Sequence, residues 1–256
     1  METENFSTGR IVLQLLGTGT IRTEQNVACA ASLITTGESK ILVDCGPGCF
    51  IRLKEAGIPI RKINCIFITH FHPDHVSDLI SLLFAYFHTG TSENSLEIFG
   101  PVGLKTFWKN QIKTYGQWVN SPIFSFQELT KNSLDMSNFS MSWKKVSHNE
   151  ESIGYRFEFG DKIISFSGDS GYCPELIELT KNANIAVLEC AYPDSQTDPF
   201  HLNPSAISKI ANLSGAKKII LTHLYPEVFP ENPVKIIRKI YQGRVVIGND
   251  LDQFVI

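Results

Sequence analysis

The sequence predicts an α/β protein in which two β-sheets face each other and helices cover the outside. Two observations predict it. Short apolar strands alternate with helices through the first half of the chain and again through the second. The 256 residues are 43% hydrophobic and 19% charged, which supplies a sizeable core and excludes a disordered chain. No stretch reads as a linker, a repeat or a low-complexity tract, so residues 1–256 are expected to form a single domain.

The elements follow in order. IVLQLL (11–16) is a strand that runs into the turn Gly17-Thr18-Gly19-Thr20. That turn lacks the context of a phosphate loop and reads as a tight corner. ASLITT (31–36) and KILVDC (40–45) form a hairpin pair across Gly37-Glu38. Phe50 to Ala56 is a short helix, stopped by Gly57 and Pro59. NCIFIT (64–69) is a buried strand, and His75 to Phe87 a strongly apolar helix. LEIF (96–99) is a strand, and Gly100-Pro101 opens a helix to about Tyr115.

In the second half, SMSWKKV (140–146) and SIGYRFEF (152–159) alternate apolar and polar. Gly160-Asp161 is a two-residue turn into KIISFS (162–167). A helix near 174–181, the strand IAVLEC (185–190) and a helix from Pro204, with Asn203 as N-cap, come next. KKIILT (217–222), a helix near 233–241 and RVVIG (244–248) complete the pattern.

Composition narrows the function classes. The net charge of −3 argues against a protein that is basic all over, though not against a local basic patch. No apolar run of about 18 residues exists, so no membrane helix is expected. The N-terminus METENFSTGR has no basic region followed by an apolar run, unlike a secretory signal. Cysteines 29, 45, 49, 65, 173 and 190 are scattered without a CxxC pair, which fits reduced thiols and a cytoplasmic location.

The sharpest feature is Thr69-His70-Phe71-His72-Pro73-Asp74-His75, set between a buried strand and an apolar helix. Of only seven histidines in the chain, three fall here within six residues, together with an aspartate. A pair of metal ions needs about this density of nitrogen and oxygen donors. THFHPDH resembles the HxHxDH signature of the metallo-β-lactamase superfamily. His148 after a strand, Asp169 in FSGDSG and His223 in ILTHLYP follow in that superfamily's order.

The resemblance covers about residues 11–250. It implies an αββα sandwich of two facing mixed β-sheets with helices outside. It also implies two divalent ions; the nitrogen-rich positions favour zinc, and manganese or iron tolerates the same ligands. His70, His72 and His148 would hold one ion, Asp74, His75 and His223 the other, and Asp169 would bridge. Asp74 counts among the catalytic groups as well. Asp44 in LVDCGPG sits where the superfamily places an aspartate beside the ligands; a buried carboxylate can take a ligating imidazole's other N–H. His88 matches no motif and stays outside the site.

Two such ions can bridge a hydroxide, hold a substrate oxygen and steady a leaving oxygen. That suits phosphodiester, thioester or lactam hydrolysis. β-Lactamases of the superfamily mostly lack the bridging aspartate and are exported, which sets lactams aside. Phe200-His201-Leu202 before a helix, with LECAYPD (188–194) upstream, resembles the ribonuclease Z branch. On that match Glu189 orients His201, which donates a proton to the leaving alkoxide. A positioned acid of this kind is worth ~10²–10⁴-fold.

The match also departs from that branch. Ribonuclease Z proteins that process tRNA carry a flexible arm between the third ligand histidine and the bridging aspartate. Here His148 and Asp169 lie 21 residues apart, with only a hairpin between them. Weak tRNA binding is therefore expected. Some small relatives cleave cyclic nucleotides or cyclic ribose phosphates, and one such group has a cysteine-bound zinc with no counterpart cluster here. The expectation is a binuclear phosphodiesterase acting on an RNA 3′ end, a cyclic nucleotide or a small diester. The alternative is a thioester or ester hydrolase of the glyoxalase II kind. No membrane partner is expected; a homodimer is possible.

Overall fold

In the computed structural model the described residues are 9–22, 26–37, 39–89 and 95–256. The segment 1–8 of the N-terminus read as lacking a secretory signal, and Glu38 of the expected hairpin turn, lie outside them. Two compact units emerge, residues 11–130 with 249–255, and residues 131–248.

The first unit contains β1 (Val12–Gly17), β2 (Ala31–Thr35), β3 (Lys40–Val43), α1 (Cys49–Glu55), β4 (Cys65–Phe67), α2 (Pro73–Val76), α3 (Asp78–His88), β5 (Leu96–Gly100), α4 (Leu104–Tyr115) and β6 (Phe124–Glu128). Its seven-stranded sheet begins with the late strand Gln253–Val255 and continues β1, β2, β3, β4, β5, β6. Pairing is antiparallel as far as β3 and parallel from β3 to β6. Leu82, Leu83 and Tyr86 of α3 pack with Ile66 of β4, Ile98 of β5 and Trp108 of α4 in one apolar core.

The single helix expected at 75–87 is interrupted. The Asp78 amide donates to the Cys45 carbonyl at 2.9 Å instead of continuing the helical ladder. The turn after β3 thus captures a helical N–H, and the chain splits into α2 and α3. β6 and Gln253–Val255 have no counterpart in the sequence reading.

The second unit contains β7 (Ser133–Asp135), β8 (Ser140–Lys145), β9 (Ile153–Phe159), β10 (Lys162–Phe166), α5 (Pro174–Thr180), β11 (Ile185–Glu189), α6 (Pro204–Ser214), β12 (Lys218–Thr222), α7 (Pro233–Ile237) and β13 (Arg244–Ile247). Its seven strands run β13, β12, β11, β10, β9, β8, β7. The pairs from β10 to β13 are parallel and those from β7 to β10 antiparallel. Asn203 caps α6, its side chain accepting from the Ala206 amide at 2.9 Å, and Gly215 ends that helix in the left-handed region. α7 is shorter than the expected 233–241 helix, because the chain beyond Ile237 continues in tighter turns.

Each unit is therefore a mixed sheet with its own helices, as the sequence predicted. All six cysteines are free and buried. Among the described residues no helix is long and apolar enough to cross a membrane.

Candidate metal centre

In the first unit the candidate ligands occupy one corner. β4 ends at Phe67, and His70 and His72 precede Pro73, the first residue of α2. Asp74 and His75 are buried within that short helix. The His70 ring lies 4.2 Å from that of His75 and 4.8 Å from that of His72, centroid to centroid.

Asp44 fixes this corner from behind. It leaves β3 in the left-handed region, at φ 59°, a conformation uncommon outside glycine. Its carboxylate accepts from the Thr69 amide at 2.8 Å and the Thr69 hydroxyl at 2.9 Å. The same carboxylate meets His75 Nδ1 at 2.9 Å. Holding Nδ1 leaves Nε2 as the donor atom, the usual way an outer carboxylate orients a ligating histidine. The Gly17-Thr18-Gly19 corner is tied to Asp250, which accepts from the Thr18 amide at 2.9 Å, the Ala28 amide at 2.7 Å and Arg52 at 2.9 Å.

In the second unit the candidates come from separate strand ends. Asp169 follows β10, Glu189 ends β11 and His223 follows β12, at φ 54°. The register Glu189↔Thr222 brings the ends of two parallel neighbours level. His148 follows β8, and its segment is stitched to the Asp169 loop by Gly171 N to Ser147 O at 2.7 Å. Its Nδ1 meets the Phe200 carbonyl at 3.0 Å, which leaves Nε2 as donor.

From Asp169 Oδ2, His223 Nε2 lies at 3.6 Å and His148 Nε2 at 4.0 Å. Two donors on one zinc-like ion, each at ~2.0–2.1 Å, stand at most about 4.2 Å apart. Both separations therefore suit a shared ion, and both exceed a hydrogen bond. The donor set fits a divalent metal.

His201 has a carboxylate partner of its own. Its Nδ1 meets Glu189 Oε1 at 2.8 Å. Glu189 is fully buried and also accepts from the Ser170 amide at 2.8 Å and the Ala191 amide at 3.0 Å. Burial would lower the His201 pKa, but the hydrogen bond and charge of Glu189 outweigh it and raise the value to about 9. Among the described residues His201 also stands with Asp169 and His223 as a possible donor trio, ligand atoms within 4.8 Å of one another.

Within each unit the expected residues thus gather: His70, His72, Asp74 and His75 in one, and His148, Asp169, Glu189, His201 and His223 in the other. His88 packs instead among aromatic rings, 4.5 Å from Phe84 and 5.8 Å from Trp118. Asp250 was not foreseen; its partners lie 198 to 232 residues away and leave no local signal.

Residues 11–236 match the family described as "Anti-Pycsar protein Apyc1". The chain belongs to this family. The Apyc1 match takes in every candidate ligand and the Glu189–His201 pair. Similar curated proteins include the probable metallo-hydrolase YhfI of Bacillus subtilis, 27% identical over 87% of this chain and 91% of YhfI. Ribonuclease Z of Mycobacterium bovis is 24% identical over 93% of this chain and 96% of its own. The crystal structure of YhfI superimposes with a TM-score of 0.83 at 23% identity, over 96% of this chain and 99% of that one. The short form of human tRNase Z gives 0.79 at 24% identity, over 95% and 98%. The fold is the metallo-β-lactamase fold. This Apyc1-family chain is a metal-dependent hydrolase in the ribonuclease Z and phosphodiesterase branch of that superfamily.

Proposed function

We propose that the two donor sets serve one binuclear centre and that the enzyme hydrolyses phosphodiesters. In this reading His70, His72 and His148 hold one divalent ion, Asp74, His75 and His223 the second, and Asp169 both. Nitrogen-rich donors favour zinc, with manganese or iron compatible. Bound there, the ions would polarise a phosphoryl oxygen and activate water at neutral pH.

The observation that carries the choice of reaction is the 2.8 Å contact between His201 and the buried Glu189. Glu189 holds Nδ1, so the His201 proton available for transfer is on Nε2. An alkoxide leaving group is strongly basic and needs that proton; a thiolate does not. The ribonuclease Z relatives, RNA-cleaving by name, support a phosphodiester substrate. An RNA 3′ end, a cyclic nucleotide or a small diester all fit. The stretch between His148 and Asp169 is filled by β9, its turn and β10, without an arm, so we expect weak, salt-sensitive tRNA binding. Reduced cysteines suit a cytoplasmic enzyme. A homodimer is the assembly to test by sedimentation.

The zinc-loaded protein should hydrolyse bis(p-nitrophenyl) phosphate and leave a glutathione thioester intact. The reverse preference would replace this reading with a glyoxalase II-like one. Efficient cleavage of a pre-tRNA 3′ trailer would show that the missing arm is dispensable.

A further inference from the structure

Four rings of the second unit form a closed quadrilateral. His201 and His223 are nearly parallel, 9° apart, with centroids at 6.1 Å. Tyr192 and Tyr225 stack at 5.2 Å and 26°. Tyr192 meets His201 edge to face at 5.6 Å and 77°, and Tyr225 meets His223 in the same way at 6.0 Å and 76°. Each side of the figure is thus one aromatic contact, and each tyrosine backs one histidine. Both tyrosines are half-buried. Tyr192 comes three residues after Glu189 and Tyr225 two residues after His223.

We propose that Tyr192 and Tyr225 are positioning residues: their stack fixes the spacing of the proton donor His201 from the metal ligand His223. This rests on the phosphodiesterase reading for the two histidine roles, but the geometry is independent of it. Glu189 restrains His201 at one ring atom, and the His148 ring meets it edge to face at 4.8 Å and 66°. Tyr192, at 77° to the ring, adds a second edge-to-face restraint from a residue outside the ligand set. Tyr225 restrains His223 edge to face, and the Tyr–Tyr stack transmits the position of one histidine to the other. Edge-to-face pairs at 4.5–7 Å are favourable in themselves. Misplacing a reacting group by about 1 Å can cost ~10²-fold in rate.

The test compares leucine and phenylalanine variants of the metal-loaded protein on two diesters. One is thymidylyl-thymidine, whose alkoxide leaving group needs the acid; the other is bis(p-nitrophenyl) phosphate, whose leaving group barely does. Tyr192→Leu should lower kcat on the dinucleotide by about tenfold, lose much less on the nitrophenyl ester, and leave KM and metal content unaltered. Tyr225→Leu should lose equally on both substrates and release metal faster to a chelator. Tyr192→Phe and Tyr225→Phe, which keep the rings, should restore each property.

A readout free of catalysis accompanies these. The ring N–H proton resonance of His201, assigned by its absence from His201→Ala, should broaden in Tyr192→Leu and persist in Tyr192→Phe. Tyr192→Met replaces the leucine variant if that one does not fold. An unaltered resonance together with wild-type leaving-group dependence in Tyr192→Leu would overturn the proposal. If His201→Ala itself shows no leaving-group dependence, the acid assignment fails, and the resonance still decides whether Tyr192 positions the ring.

Discussion

The two units bring their candidate ligands together in opposite ways. In the first, four donors fall within six consecutive residues, on the turn after β4 and in α2 itself. In the second, His148, Asp169 and His223 are spaced by 21 and 54 residues and meet only because β8, β10 and β12 belong to one sheet. Each unit sets a buried carboxylate behind a histidine: Asp44 behind His75, Glu189 behind His201. The partners differ accordingly. Asp44 takes its donors from the same seven-residue turn that it supports, whereas Glu189 draws on residues 170, 191 and 201, from three segments. A local motif can be built by one turn; a dispersed one depends on sheet register.

The largest expected effect breaks the dispersed set. Asp169→Ala should reduce the occupancy of both ions and bring activity to background, measured by metal analysis and turnover. Retention of two tightly bound ions would remove the bridging assignment. Next comes the proposed proton donor. His201→Ala should cost ~10²–10⁴-fold on an alkyl diester, far less on bis(p-nitrophenyl) phosphate, with metal content unchanged. Loss of metal in that variant would instead make His201 a ligand alongside Asp169 and His223.

A third experiment contrasts the two carboxylates. Asp44→Asn should lower metal affinity and activity by ~10–100-fold, equally on both leaving groups, because Asp44 aims a ligand. Glu189→Gln should depend on the leaving group, because Glu189 orients an acid. Identical profiles for the two variants would dissolve the contrast between the units.

The smallest effects concern stability. A Cβ at Gly46 would stand 2.0 Å from the Asp74 carbonyl oxygen, and one at Gly171 would stand 1.9 Å from that of Pro199. Backbone must move in either case. Gly46→Ala and Gly171→Ala should each destabilise by roughly 1–3 kcal/mol, read as a lower melting temperature. Gly46→Ala should disturb the His70–His75 corner, and Gly171→Ala the His148 and His201 segments.

This asymmetry also sets what was legible beforehand. The His70–His75 turn announced itself by density, and the strands around it were read to within a residue or two. His148, Asp169 and His223 carry no local signal and became visible only through resemblance to a superfamily. Phe124–Glu128 is half-buried throughout, so it lacks the alternation that marks a strand. Ser133–Asp135 is three residues long, and Gln253–Val255 pairs with β1 across nearly the whole chain. The break between α2 and α3 depends on a carbonyl some thirty residues upstream, at Cys45. The partnership of Tyr192 and Tyr225, 33 residues apart, is made by the fold and has no local signal.

The segment before His201 is pinned at both ends. Glu231 accepts from the amides of Asp194 and Ser195 at 2.9 and 3.3 Å, and Pro199 is pressed against Gly171. Between these anchors Gln196 and Thr197 are exposed. The scaffold thereby separates what must stay constant from what can change. Sequence drift or insertion at 196–197 would alter this exposed surface while both anchors hold the segment that leads to His201. For directed evolution, Gln196 and Thr197 are the positions of this segment where substitutions leave both anchors intact.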